Sequence, residues 1–341
     1  MVFHTIENNL LWGGPFLYNR ELECLEQYPY TVMKMSRVRG GIWCQCEEGD
    51  FFLKEYSGSA KRINVLRRAL SELEERGFAV DTPVLTAEGV EMGEDSFGKN
   101  YTLRKWYTGR EIGVTNREEI RAGAGLLGQL RGALDAITVK MSGEIVFPTT
   151  YMQTIARQNR ELKNISNFIG RKRRKNEFDM EFRRIFSKYY EQALKIAEME
   201  SVWGTSHTVR RGLCHRDYTH HNVLANGSKL AVVHFDNLGG DDVVADLALY
   251  MRKLLEKNQY QERMFQDILA EFEAFYPLTE SERRQLYLRL AYPSRFLKIA
   301  NHYATTRKNH IILRDLEKLD RLVKQEEERS HFLAFLEEFV V

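Results

Sequence analysis

The sequence predicts an α+β protein of two lobes, a small antiparallel sheet followed by a large helical lobe. Three observations carry this. At 341 residues the chain exceeds the usual size of one hydrophobic core. Strand signals crowd into the first hundred residues, and helical periodicity dominates from residue 115 onward. The composition suits a packed core: 43% of residues are hydrophobic, with 19 Phe and 16 Tyr, which is far above what a disordered chain carries.

The first elements are strands. TVMKMSRV, IWCQC and DFFLKEY are separated by the turn-forming RGG and EEGD, the pattern of an antiparallel meander. A helix then opens at Ser59 or Ala60 and runs to about Arg76, because Ile63, Leu66, Leu70 and Leu73 recur at the 3, 4, 3 steps of one buried face. Gly77 is placed to end it. YTLRKWY, residues 101–107, reads as another strand, and Gly109 is a natural joint. The boundary between lobes is therefore expected there, with residues 1–108 forming the strand-rich lobe and hinge and residues 109–341 the helical lobe.

From Thr115 to about Ile137, Ile120, Leu127, Leu130, Leu134 and Ile137 keep helical phase. Two more helices are expected over roughly 149–168 and 178–201, and between them lies the basic run Arg171 to Lys175. That run is either a docking site for phosphate or nucleic acid or a solvated loop, and the loop is the preferred reading. Strands follow at Val223 to Ala225 and Leu230 to Asp236, and four helical segments close the chain, including 279–308 and 313–339.

Charge and cysteine usage narrow the class. The 50 Lys plus Arg nearly balance 48 Asp plus Glu, so no global field steers the chain onto nucleic acid or an anionic membrane. Cys24, Cys44, Cys46 and Cys214 are too few for a disulfide framework and contain no C-x-x-C pair, which points to a reducing compartment. The start MVFHTIENNLLWGG lacks the basic and apolar regions of a signal peptide, and no run of 18 apolar residues occurs. The expectation is a soluble protein that is not exported through a signal peptide.

The chemistry concentrates in LCHRDYTHHNVL, residues 213–224, and in the hairpin behind it that ends at His234-Phe235-Asp236. An Asp, an Asn five residues later and a further Asp beyond a hairpin suit phosphoryl transfer. One carboxylate orients the acceptor hydroxyl, and hard oxygen ligands hold magnesium against nucleotide phosphates. Asp217 is then the catalytic base, His215 braces the loop, and Asn222 and Asp236 bind the metal. Upstream, Lys54 in DFFLKEY stands where a kinase fold places the amine that grips the phosphates. The turn Arg39-Gly40-Gly41 lacks G-x-G-x-x-G, so a phosphate-binding loop and a plain β-turn both stay open.

On these residues the chain resembles the aminoglycoside phosphotransferase and choline kinase superfamily, and within it the CotS-type spore coat proteins. The broad resemblance runs from the first strands through Trp106-Tyr107-Thr108-Gly109-Arg110 to Asp246-Leu247-Ala248. The narrower one rests on that hinge, the LCHRDY loop, the short interval between Asp236 and Asp246, and LAYPSRFLKIANHY at 290–303. It implies a two-lobed protein kinase-like fold with nucleotide in the cleft. Backbone at Lys105, Trp106 and Tyr107 would hold adenine, and Asp246 would support the catalytic loop from behind. ATP and magnesium are the implied cofactors and a small-molecule hydroxyl the implied acceptor. It also implies a place in the spore coat after synthesis in the cytoplasm, with other coat proteins as partners, while the charge balance leaves neither nucleic acid nor membrane as an expected partner.

Three departures from the family pattern stand out. The metal-binding segment usually opens Ile-Asp-Phe-Asp or Ile-Asp-Leu-Asp, and here reads Val233-His234-Phe235-Asp236, so its first aspartate has become His234. On a strand, His234 and Asp236 would face the same side, which leaves either as the candidate ligand, although imidazole is a poor one for magnesium. The helix after Lys54 has no glutamate over residues 60–71, with Glu72 and Glu74 only near its end. The glycine loop is degenerate. A kinase-fold coat scaffold without turnover is therefore the second reading. A metal hydrolase built on His215, Asp217, His220, His221, His234 and Asp236 is a third, although the spacing matches no zinc motif. Trp43, Trp203 and Phe235 read as packing residues and Cys214 as a buried small hydrophobe.

Overall fold

A computed structural model describes residues 19–306 and 309–340. Residues 1–14, on which the signal-peptide expectation rests, lie outside the described residues. The chain divides into two compact units, Met1–Thr108 and Gly109–Val341.

The first unit runs α1 (Asn19–Leu25), β1 (Val32–Val38), β2 (Gly41–Cys46), β3 (Gly49–Glu55), α2 (Ala60–Glu75), β4 (Gly93–Glu94) and β5 (Asn100–Lys105). Its strands form one antiparallel sheet in the order β1-β2-β3-β5-β4, with Ile42 opposite Leu53 and Lys54 opposite Thr102. Alternation decides the core: Ile42, Cys44 and Cys46 of β2 are buried together with Phe51, Leu53 and Leu103, and α1 adds Cys24 and Leu25. The four cysteines are free thiols, and burial pushes those of Cys24 and Cys44 up to about 12, so they act as small apolar fillers.

Helix α2 follows its sequence signals closely. The Ser59 hydroxyl accepts from the Arg62 N–H at 3.3 Å as N-cap, and Ile63, Leu66, Ala69, Leu70 and Leu73 form the buried stripe. Gly77 at φ +88° ends it, with Gly77 N–H bonded to Glu74 O and Phe78 N–H to Leu73 O, the pairing of a left-handed helix terminator. The strand expected over 101–107 stops at Lys105.

The second unit contains β6 (Arg110–Glu111), α3 (Arg117–Lys140), α4 (Tyr151–Arg171), α5 (Glu177–Trp203), the short α6 (Thr205–Thr208), β7 (Arg211–Cys214), β8 (Val223–Asn226), β9 (Lys229–Val232) and β10 (Gly239–Asp242). These strands form two small antiparallel sheets, β6-β8-β9 and β10-β7. After them come α7 (Ala245–Leu255), α8 (Glu262–Glu273), α9 (Glu280–Ala291), α10 (Ser294–Thr305), α11 (Asn309–Lys324) and α12 (Glu326–Val340). Ile120, Leu127, Leu130, Leu134 and Ile137 are all buried on α3, as their phase predicts.

Several boundaries differ from expectation. Six helices follow β10 among the described residues instead of four. The predicted 279–308 helix breaks at Tyr292-Pro293, because proline lacks the N–H and pushes the preceding residue to an extended backbone, seen as ψ 134° at Tyr292. The predicted 313–339 helix is two helices divided at Gln325. Strands β7 and β10 carry no legible strand pattern; Gly239-Gly240-Asp241-Asp242 pairs with β7 through tertiary placement alone. The basic run closes α4 with Arg171 and continues as a loop to α5, where Arg173 and Arg174 are exposed and Lys172 bonds Asp179 at 2.8 Å and the Tyr303 hydroxyl at 2.7 Å. Among the described residues, no helix is long and apolar enough to cross a membrane.

Candidate active site

Strand β7 delivers the chain to the loop 215–222, and α3 fixes that delivery. The buried Arg131 guanidinium donates to the Leu213 carbonyl and touches Cys214 Sγ at 3.2 Å, while Leu213 N–H bonds the Thr138 hydroxyl at 2.8 Å. Cys214 has no exposed surface and burial drives its thiol far up, so it is inert packing beside the loop.

Asp246, in the first turn of α7 and 3% exposed, takes the backbone N–H groups of His215 and Arg216 at 2.7 Å each. This holds Arg216 at φ +63°, a left-handed backbone that a non-glycine residue keeps only where its surroundings enforce it. Burial raises the Asp246 carboxyl above the ordinary range, and the two N–H bonds and Arg131 oppose that rise.

The His215 ring is fully buried and both nitrogens are committed. Nδ1 accepts the Asp217 N–H at 3.2 Å, and Nε2 lies 3.0 Å from the Val233 carbonyl. An amide only donates and a carbonyl only accepts, so the proton sits on Nε2. His215 is a brace that aims the Asp217 backbone, and it has no nitrogen left for substrate.

Asp217 is half-buried. Asn222 Nδ2 donates to its carbonyl at 2.8 Å and to Oδ2 at 3.2 Å, and no donor among the described residues meets Oδ1. The same two bonds commit the Asn222 amide nitrogen to Asp217. Tyr218 anchors the loop between these two residues, its hydroxyl donating to the Gly123 carbonyl at 2.8 Å from full burial.

Behind the loop, β8 and β9 pair around Asn226-Gly227, with Gly227 at φ +59°. Val233 N–H bonds the Asn222 carbonyl at 2.9 Å, so His234 follows directly on a residue paired with Asn222. Here one expectation fails. The strand ends at Val232, His234 takes φ +66°, and Phe235–Asn237 form a 3-10 turn, so the strand alternation that put His234 and Asp236 on one side does not apply. The chain turns because Phe235 must bury itself completely, against the His215 ring at 4.3 Å. His234 and Asp236 are both half-buried. Carboxylate and amide oxygens are what magnesium accepts from protein when phosphates and water complete its shell, a chemistry that Asp236 and Asn222 can offer and the His234 imidazole offers poorly.

The histidines do not assemble into a metal centre. His215 is spent as described, His221 Nδ1 meets Glu111 at 2.5 Å, and His220 Nε2 meets Lys257 Nζ at 3.2 Å. Among the described residues no group of three or more His, Cys, Asp or Glu side chains is placed to hold a metal ion.

The remaining candidates belong to the first unit. Gly40 sits at φ +86° in the β1–β2 turn, and a Cβ on Gly41 would lie 2.4 Å from the Leu53 carbonyl, so the hairpin itself demands both glycines. Lys54 is half-buried on β3. Glu74 of α2 receives Lys105 Nζ at 2.8 Å. The Lys105 N–H goes to Thr82 O and the Trp106 N–H to Asp50 O, while the Trp106 ring packs on Phe52 at 5.9 Å. Tyr107 is half-buried, which raises its phenol. Sequence reasoning missed Arg131, a charge in the middle of an apolar helix phase, and it missed the lysines around His220.

A small antiparallel sheet with a lysine on its third strand, then a helical unit with an H-R-D-x-x-x-x-N loop braced by a buried aspartate, defines a kinase-like α+β fold. The chain belongs to the phosphotransferase enzyme family, whose pattern matches residues 42–288. It is similar to spore coat protein S of Bacillus subtilis (strain 168), 22% identical over 346 residues and 93% of each chain. An aminoglycoside phosphotransferase from Alicyclobacillus acidocaldarius shares the fold at a TM-score of 0.79 and 18% identity, over 93% of this chain and 95% of the other. Spectinomycin phosphotransferase APH(9)-Ia, solved with ADP and spectinomycin, does so at 0.63 and 13%, over 92% and 97%.

Proposed function

We propose that the protein transfers the γ-phosphoryl group of ATP to a hydroxyl of a small molecule with the help of magnesium, and that it serves in the spore coat or its assembly. The observation that carries the chemistry is the setting of Asp217, fixed by Asn222 on one side and by the His215 and Asp246 brace on the other, with Oδ1 left for an acceptor. Family membership supports the reaction class, and similarity along almost the whole chain to spore coat protein S supports the location.

In the transfer the acceptor oxygen bonds to the γ-phosphorus as the bond from that phosphorus to the β–γ bridging oxygen breaks. ADP leaves with the electron pair, and the acceptor's proton passes to Asp217 Oδ1. Magnesium held by Asn222 and Asp236 would neutralise charge on the phosphoryl oxygens. Lys54 is assigned to the nucleotide phosphates and the Gly40-Gly41 turn to their cover. With the N–H groups of Lys105 and Trp106 already engaged, adenine is left to the carbonyls of 105–107 and the Tyr107 N–H.

A second reading has its own observation: His234 replaces the family's aspartate, and Glu74 is committed to Lys105, which suits a scaffold that keeps the fold without turnover. A thermal-shift titration with ATP, with and without magnesium, separates the two, since a ligand of the native state raises its stability. Magnesium-dependent stabilisation, together with ADP release that Asp217→Asn abolishes while nucleotide affinity is kept, is the expected result. No stabilisation at millimolar nucleotide would overturn the phosphotransfer reading in favour of the scaffold.

A further inference from the structure

One flank of the catalytic loop is densely cationic. Lys253 lies in the last turn of α7 and Lys257 in the turn just past its end. Lys257 Nζ stands 3.2 Å from His220 Nε2, and since an ammonium only donates, that ring nitrogen accepts and adds no negative charge. Lys298 of α10 is the third member. Burial, then the Arg252 and Lys298 charges, lower the Lys253 ammonium, and the Glu256 and Asp217 charges raise it. Lys253 is half-buried, Lys257 and Lys298 exposed.

Glu256 and Asp217 act on Lys253 from a distance without pairing with it. Glu256 is bound by Arg252 at 3.1 Å, and Glu111 by His221 at 2.5 Å. Among the described residues no carboxylate pairs with Lys253, Lys257 or Lys298. The half-buried Lys253 ammonium has given up part of its hydration near other positive charges, a cost that an anionic ligand converts into binding. The position beside Asp217 is where an acceptor must stand if that carboxylate takes its proton.

We propose that the acceptor site takes a hydroxyl compound bearing an anionic group, phosphate or carboxylate, which Lys253 binds with Lys257 and Lys298, and that it rejects polycationic acceptors. This rests on Asp217 as the hydroxyl-orienting group. It also separates the chain from its structural neighbour solved with spectinomycin, an amine.

The test is calorimetric titration of the full chain with inorganic phosphate, with a non-hydrolysable ATP analogue and magnesium filling the nucleotide site. Wild type should bind phosphate, and Lys253→Gln and the exposed Lys298→Gln should each weaken it about tenfold, the loss of one charged hydrogen bond, while nucleotide affinity and melting temperature hold. Phosphate affinity unchanged in both variants, absent in wild type, or exceeded by that of spectinomycin would overturn the inference. The titration is repeated without nucleotide, so failure of the nucleotide to bind would count against the phosphotransfer reading and leave this result readable.

Discussion

Replacing Asp246 by alanine should release the catalytic loop, and the structure sets the size of the effect. The carboxylate receives two backbone N–H groups at 2.7 Å. His215 has no exposed surface, so its orphaned N–H loses any partner, at about 1–3 kcal/mol. Arg216 is exposed, so water can meet its N–H and the loss there is nearer 0.5–1 kcal/mol. Removing a buried carboxylate returns a little of its desolvation, and the net is about 2–3 kcal/mol. For a helical unit of this size that corresponds to a fall in Tm of roughly 4–12 °C. Differential scanning calorimetry reads it directly, with a urea melt as the independent measure. Asp246→Asn keeps one acceptor and should lose about half as much. A fall below about 2 °C for alanine, or asparagine as damaging as alanine, would show that the loop is not held this way.

Glu119 is held to about 2 by its bonds to Arg110 and the Gly113 N–H. Its stabilisation is therefore complete above 4.5 and lost as pH falls from there toward 2; with Arg110 largely exposed the amount is about 1 kcal/mol, and Glu119→Gln should flatten that part of an acid melt. His234→Asp should tighten magnesium-dependent nucleotide binding several-fold by adding an oxygen ligand, and unchanged binding would leave Asp236 as the carboxylate ligand. Gly41→Ala forces a Cβ to 2.4 Å from a backbone oxygen that cannot swing away, so denaturant melts should show a loss of at least about 2 kcal/mol from the sheet unit.

The sequence by itself determined the elements whose signals are local. Helix α2 with its Ser59 cap, its apolar stripe and Gly77 was legible residue by residue, and so were the meander of β1 to β3, the long helices and the H-R-D-x-x-x-x-N loop, because periodicity, capping and turn chemistry act within a few residues. Proline at 293 was a local signal that outweighs an unbroken apolar phase across 279–308. Only the tertiary structure decided the rest. The pairing of β7 with β10 comes from where the helices bring a glycine-rich segment, and the left-handed turn at His234 from the need to bury Phe235 against His215. Arg131 lies 82 residues from Leu213, whose carbonyl it binds, and Lys257 lies 37 residues from His220. Charge and hydrogen bonding depend on distance in space, which folding sets and which no spacing along this chain records.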